Sequence, residues 1–333
     1  MAHLDVFKAD AFSESELTTA INHMPYVPGQ IGQAGIFTSH PVRTTVVEVE
    51  RRDNTFSLIP FSPRGSEPHQ NKKDLRNVKN FKLAHMAMED AINADEVQNI
   101  RAFGSESELD AVMNEVSLRQ ARIARSFDAT EEHMMLGSLR GEFIDADGST
   151  ILDYFTEFGV PSPTPVDFDL ANITDLRSFI AQSVIRPMQY ALGAEAASGI
   201  ICFCGPAFMD GLVDNPDVKA ALERADVGHA SREYAFGQFS YAGVTFQEYR
   251  NINGTNTDFI GTNEALFVPQ GTSYFKKYYG PADYLSAVNT LGLPRYSRVH
   301  VDPKERYVEV EAQSNPLVLC EKPEVLIPAT TTS

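Results

Sequence analysis

The side chains best suited to chemistry are scattered along the chain rather than gathered in motifs. Histidines stand at His3, His23, His40, His69, His85, His133, His229 and His300, and no two have the spacing of a metal pair on one helix face. Cys202 and Cys204 fall on one side of the apolar run Gly199-Ile-Ile-Cys-Phe-Cys204, and Cys320 stands far along the chain. Zinc would need further ligands at suitable spacing. The three thiols read instead as small core residues of a reduced protein. Gly29-Gln-Ile-Gly32-Gln-Ala-Gly35 invites a nucleotide-loop reading, but its spacing is wrong and no buried strand precedes it. Asp145-Ala-Asp147-Gly148 superficially suggests a calcium loop. Its glycine comes two positions too early, and Thr156 occupies the place of the bidentate acid, so a hairpin turn is the better reading. There is no Walker-type lysine loop, no Gly-x-Ser-x-Gly elbow and no His-Glu-x-x-His. No catalytic, cofactor-binding or metal residue is assigned, and no cofactor is implied.

The elements that would position any site are clearer. Thr45, Val47 and Val49 alternate with Glu48 and Glu50, a strand pattern. Asp53-Asn54 marks a turn, Phe56 and Leu58 alternate on the way back, and a third extended run carries Phe81 and Leu83. A ribbon of two or three strands is marginal alone in water. Its apolar face is expected to dock on something else, most simply a second copy of the chain. Residues 1–40, broken by Pro25 and Pro28, read as a flexible arm. A helix is predicted over about 105–140, opened by the capping-box pair Ser105 and Glu108 and closed by Gly141. Its stripe is Leu109, Val112, Met113, Val116, Ile123, Phe127 and Met134. A hairpin follows, returning through Ile151, Asp153 and Phe155. Beyond Pro161, Pro163 and Pro165 the pattern turns α/β. A helix through Leu176, Phe179, Ile180 and Val184 should end or kink near Pro187, and Gly199–Cys204 and Ala265–Val268 are buried strands. Short helices carry Phe208, Leu212 and Val218, and residues 239–249 form a hairpin about Gly243.

The chain has 333 residues, enough for roughly two domains. Its formal charge of -17 argues against general nucleic-acid affinity, which depends on neutralising phosphates. No apolar run reaches membrane-spanning length, and the amino terminus lacks a signal-peptide pattern, so folding in a reducing cytoplasm is expected. The charge is segregated. Arg64, Lys72, Lys73, Arg76, Lys79 and Lys82 precede Glu89, Asp90, Asp95, Glu96, Glu106, Glu108, Asp110 and Glu115. Two solvated faces would explain this. So would a basic arm laid across an acidic stretch of the next subunit, with exposed ion pairs setting register and apolar burial supplying affinity.

The order of parts resembles the major capsid proteins of tailed bacteriophages, more specifically the lambda-type major capsid protein E family. The motifs are Val49-Glu-Arg-Arg52, Ser62-Pro-Arg-Gly65, Asp95-Glu-Val-Gln-Asn-Ile-Arg-Ala-Phe-Gly104, Asp128-Ala-Thr-Glu-Glu-His133, Asp145-Ala-Asp-Gly-Ser149 and Phe155-Thr-Glu-Phe-Gly159. Near the end stand Pro281-Ala-Asp-Tyr284, Val288-Asn-Thr-Leu-Gly292 and Gln313-Ser-Asn-Pro-Leu317. The likeness runs from about residue 40 to 327.

This resemblance implies an α+β chain of the Hong Kong 97-type capsid fold. It implies an amino-terminal arm (1–40), an extended loop (41–88), and a peripheral domain with spine helix and hairpin (89–164). An axial domain (165–290) would follow, and carboxy-terminal strands (291–333) would return to the peripheral domain. The function implied is structural: pentamers and hexamers of an icosahedral head, enclosing packaged DNA without sequence-specific binding, in a virion assembled in the host bacterial cytoplasm. Many copies of itself, a separate scaffolding protein, a portal and a decoration protein are the partners implied; a membrane is not. Contact candidates are Phe56, Leu58, Arg64, Lys72, Lys73 and Arg76 from the loop, and Glu106, Glu108 and Asp110 from the acidic stretch. An encapsulin-like compartment shell shares the fold, and a soluble α/β enzyme is the alternative from another class.

Overall fold

A computed structural model describes residues 10–24, 29–52, 76–93, 96, 108–224, 237–250, 260–304 and 306–331. Its organising element is the helix Glu108–Arg140, 33 residues and therefore ~50 Å long. The first half buries Val112, Val116, Ile123 and Phe127 on one stripe, as the spacing predicts. The last turns are buried on nearly every side, with Met134, Met135, Leu136 and Leu139 in the core. A helix apolar only on one face rests on a surface, whereas one buried all round runs through an interior. This helix does both.

The surface under its first half is a three-stranded antiparallel sheet, Tyr296–Val301, Tyr307–Ser314 and Met86–Asn93. Helix and sheet share a small core with Phe12, Leu17 and Ile21. The last two lie on the helix Glu14–His23, capped by Ser13, whose hydroxyl accepts from the Glu16 amide. The described part of the amino-terminal region is thus docked on the body. The prolines that suggested an arm only punctuate the chain between two short helices, Glu14–His23 and Gln30–Gln33.

The helix's second half enters the main core. There a six-stranded mixed sheet runs in the order Val166–Asp167, Ile327–Thr330, Glu264–Gln270, Gly199–Cys204, Val244–Glu248, Gln238–Tyr241. The central strand Gly199–Cys204 is parallel to Val244–Glu248 and antiparallel to Glu264–Gln270. It is buried through Cys202, Phe203 and Cys204, which accounts for its continuous apolar run. Ala242 and Gly243 both take positive φ, the turn that a two-residue hairpin needs. The short helices Pro206–Asp214 and Pro216–Arg224 each begin with proline at a first-turn position that needs no donor.

A third sheet, Thr38–Pro41, Phe275–Tyr279 and Pro316–Cys320, packs its buried residues into the main core. The carboxy-terminal strands are shared out: Tyr296–Ser314 joins the sheet under the helix, Pro316–Cys320 joins this sheet, and Ile327–Thr330 joins the six-stranded sheet.

Of the two outcomes the sequence allowed near Pro187, an end or a kink, the helix does not end. A π-helical stretch, Ala181–Ile185, widens the turn ahead of the proline, and the helix resumes as Arg186–Leu192. The return strand of the first hairpin, Thr150–Asp153, ends before Phe155, because Asp153 caps a new helix, Tyr154–Phe158, by accepting from the Phe155 amide. Gly141 ends the long helix with φ +89, and a Cβ there would lie 2.2 Å from the Phe155 ring.

Candidate assembly surfaces and the charged turn of the long helix

One stretch of the long helix gathers the buried charge. Asp128, Glu131 and Glu132 stand three and four residues apart, on the side that also carries Phe127 and Met135, and all are buried. Each holds a different part of the chain. Asp128 accepts from the Arg295 guanidinium, which also donates to the Ile21 carbonyl at 3.4 Å. Glu131 accepts from Lys277 Nζ at 2.5 Å and Tyr279 Oη at 2.9 Å, both on strand Phe275–Tyr279. Glu132 accepts from the Ile31 amide at 2.7 Å and the Gly32 amide at 3.0 Å.

The glycine-rich run 29–35 therefore presents backbone donors to a carboxylate of its own chain. Burial pushes the Glu132 carboxyl above its ordinary range, despite the two backbone donors; neighbouring Glu131 pushes the same way and Lys277 opposes it. Asp128-Ala-Thr-Glu-Glu-His133 carries these acids within one of the motifs of the family resemblance. Acids interrupting the apolar stripe between Phe127 and Met134 were the signal that they are buried and paired.

A second cluster lies nearer the helix start. Arg119 donates to Asp90 at 3.0 Å, Glu96 at 2.8 Å and Glu115 at 3.0 Å, and Arg122 reaches Asp90 at 3.2 Å. Part of the acidic stretch expected to face a neighbour's basic loop is thus neutralised within the subunit. Of the contact candidates, Phe56, Leu58, Arg64, Lys72, Lys73 and Glu106 lie outside the described residues. Arg76 begins strand Arg76–Lys82, paired with Arg52, and Glu108 and Asp110 lie in the first turn of the long helix. The described partner of Val46–Arg52 is that strand, not the run through Phe56 and Leu58. The ribbon's base packs on its own subunit. Val47, Val49 and Phe81 are buried, and the Phe81 and Phe158 rings stand 5.6 Å apart. The dependence on a neighbour expected for the whole ribbon does not extend to this base.

Cys202, Cys204 and Cys320 are buried, and burial pushes the Cys202 and Cys320 thiols up, so they are poor nucleophiles. Among the described residues no cluster of His, Cys, Asp or Glu could hold a metal ion. Asp145 and Asp147 spend oxygens on the amides of Ala146 and Ser149 within their turn. No described helix is long and apolar enough to cross a membrane.

This fold is similar to that of solved phage capsid proteins. The chain matches the capsid of Cyanophage P-SCSP1u with TM-score 0.53 at 12% identity, covering 89% of this chain and 86% of that one. It matches the capsid of Cyanophage Pam1 with TM-score 0.51 at 14% identity, covering 92% and 94%. A crystallised prophage protein of E. coli CFT073 gives TM-score 0.62 at 13% identity, covering 97% and 100%. These define the class: an α+β protein with the Hong Kong 97-type capsid fold. Residues 13–331 match the family model of phage major capsid protein E, and the chain belongs to that family. Curated relatives are the major capsid proteins of Pseudomonas phage KPP10, 26% identical over 95% of this chain and 96% of that one, and of Salmonella phage Felix O1, 23% identical over 95% of each. The chain is a structural protein of the phage head, located in the icosahedral capsid of the virion.

Proposed function

We propose that the subunits assemble as pentamers and hexamers around packaged DNA, as a non-enzymatic shell. The observation that carries this is the family match over residues 13–331, which takes in the ribbon, the long helix and both cores. In this reading the six-stranded sheet with its helices is the axial body, and the long helix with the sheet beneath it is the peripheral body. Phe56, Leu58, Arg64, Lys72 and Lys73, with Arg76 at the end of the ribbon's base, contact the next subunit. Their acidic counterpart is Glu106, Glu108 and Asp110; Asp90, Glu96 and Glu115 of the same stretch hold Arg119 within the subunit.

A net charge of -17 keeps the shell from gripping DNA, which is enclosed without sequence-specific contact. A separate scaffolding protein, a portal and a decoration protein complete the head. Sedimentation and electron microscopy of the expressed chain test the proposal. Capsomers or closed megadalton particles support it; a lone monomer at assembly concentrations ends it.

A further inference from the structure

Strand Tyr296–Val301 is an edge of its sheet, paired on one side with Tyr307–Ser314. Residues of an antiparallel edge strand alternate, one bonding inward to the ladder and the next turning its amide and carbonyl outward. The Asp302 amide donates inward to the Tyr307 carbonyl at 3.1 Å, so the odd-numbered residues face out. An outward row of backbone groups is a template for another strand.

The helix Glu14–His23 lies on that row. Thr18 Oγ1 donates to the Ser297 carbonyl at 3.3 Å and accepts from the Ser297 amide at 3.2 Å, and Asn22 Nδ2 donates to the Arg295 carbonyl at 2.7 Å. These are the bonds a further strand would make. Thr18 and Asn22 share one helix face with Glu14, which accepts from Ser286 Oγ at 2.5 Å. Leu17 and Ile21 root the helix in the core, and Gln120 Nε2 donates to the Leu17 carbonyl at 3.3 Å and to Ser297 Oγ at 2.9 Å. Past Ser297 the outward groups belong to Val299 and Val301, and among the described residues no hydrogen bond reaches them.

We infer that the helix Glu14–His23 is a guard, which keeps this strand edge from pairing with the same edge of a second copy. The sequence selects that partner. Arg298-Val-His-Val-Asp302 is complementary to itself when reversed. An antiparallel pair centred on His300 sets Arg298 opposite Asp302 and Val299 opposite Val301, and Val299 and Val301 are the residues whose backbone faces out. The neighbouring strand continues both rows without opposing like charges, since Arg298 is in register with Glu311 and Val299 with Val310. His300, in register with Glu309 and with Nε2 3.2 Å from Glu311 Oε2, would meet its own copy. Arg298 lies over the Tyr284 ring, and Asp302 accepts from the Arg306 amide at 3.3 Å; neither contact uses the outward backbone. Pro303 bounds the match at one end and the guarded Ser297 at the other.

The test uses the full, unassembled chain with His300→Cys as reporter. The three native cysteines are buried, so oxidation reads the new thiol. A pair centred on position 300 brings it within disulfide reach of its own copy, whereas position 298 meets position 302. With the helix intact, no linked dimer is expected. Thr18→Pro breaks the helix and removes the hydroxyl. It should shift the His300→Cys chain from monomer to disulfide-linked dimer, while Arg298→Cys in the same background stays unlinked. Adding Val301→Pro deletes an outward amide, leaves the ladder bonds and should abolish the dimer. Linked dimers with the helix intact, monomers after Thr18→Pro, equal linking through positions 298 and 300, or dimers that survive Val301→Pro each overturn the inference. If Thr18→Pro does not melt cooperatively, Thr18→Ala with Asn22→Ala is read the same way.

Discussion

Asp128 on the long helix and Arg295, just before strand Tyr296–Val301, form a buried ion pair, linking residues far apart in sequence. Breaking such a pair on one side leaves a charge in a low-dielectric interior, at a cost of about 3–5 kcal/mol. Asp128→Ala and Arg295→Ala are each expected to destabilise the subunit by that order. The double variant should lose less than the sum, since neither charge is then stranded. Denaturant unfolding of the unassembled subunit measures all three, and strict additivity would contradict direct coupling.

Glu132 sets a pH dependence. Its folded-state carboxyl is raised above the ordinary value, mainly by burial. The folded chain therefore binds that proton more tightly than the unfolded chain does. The resulting stabilisation is fully present below the unfolded value near 4.5 and is lost as pH rises through the higher folded value. Glu132→Gln removes this titration. Wild type should gain stability relative to Glu132→Gln as pH falls from neutrality towards about 4.5. Melting midpoints of both proteins across that range decide it, and parallel curves would count against it.

What the sequence revealed and what it hid follow from the range of the interactions. The helix 108–140, the hairpin turn at Gly148 and the strands 199–204 and 264–270 were readable because their signals are local: apolar spacing and turn residues. The docking of residues 14–23 was hidden, because Leu17 and Ile21 gain their place from a helix about a hundred residues away. Proline spacing left an end or a kink open at Pro187, and the π-turn ahead of it, which lets the helix continue, has no local signal. The pairing of Val46–Arg52 with Arg76–Lys82 was missed because alternation does not say which strand is the partner. The acids at 128, 131 and 132 were visible, but their partners at 295, 277 and 31 could come only from the fold.

Gly141 carries two constraints at once. Its φ of +89 disfavours any side chain, and a Cβ would drive into Phe155. Gly141→Ala is expected to cost more than ~1 kcal/mol, measured by unfolding. Gly148→Ala also takes a positive-φ position but meets nothing within 4 Å, so it should cost less. Equal losses would show that the Phe155 contact adds nothing.

The charged loop yields a prediction with an internal control. Lys72→Glu, Lys73→Glu and Arg76→Glu together should impair assembly more than subunit folding, because Val47, Val49 and Phe81 anchor the ribbon's base independently. Arg119 already occupies Asp90, Glu96 and Glu115, which leaves Glu89, Asp95, Glu106, Glu108 and Asp110 in the acidic stretch, the last three being the contact candidates. Reversing those three to lysine in the same chain should restore part of the particle yield, since exposed pairs set register through sign rather than through fine geometry. Reversing Glu115 instead should not restore it, because that change breaks the Arg119 cluster within the subunit. Sedimentation of expressed particles, with subunit melting as the folding control, distinguishes the cases. Wild-type yield from the triple loop variant would rule out charge-set register.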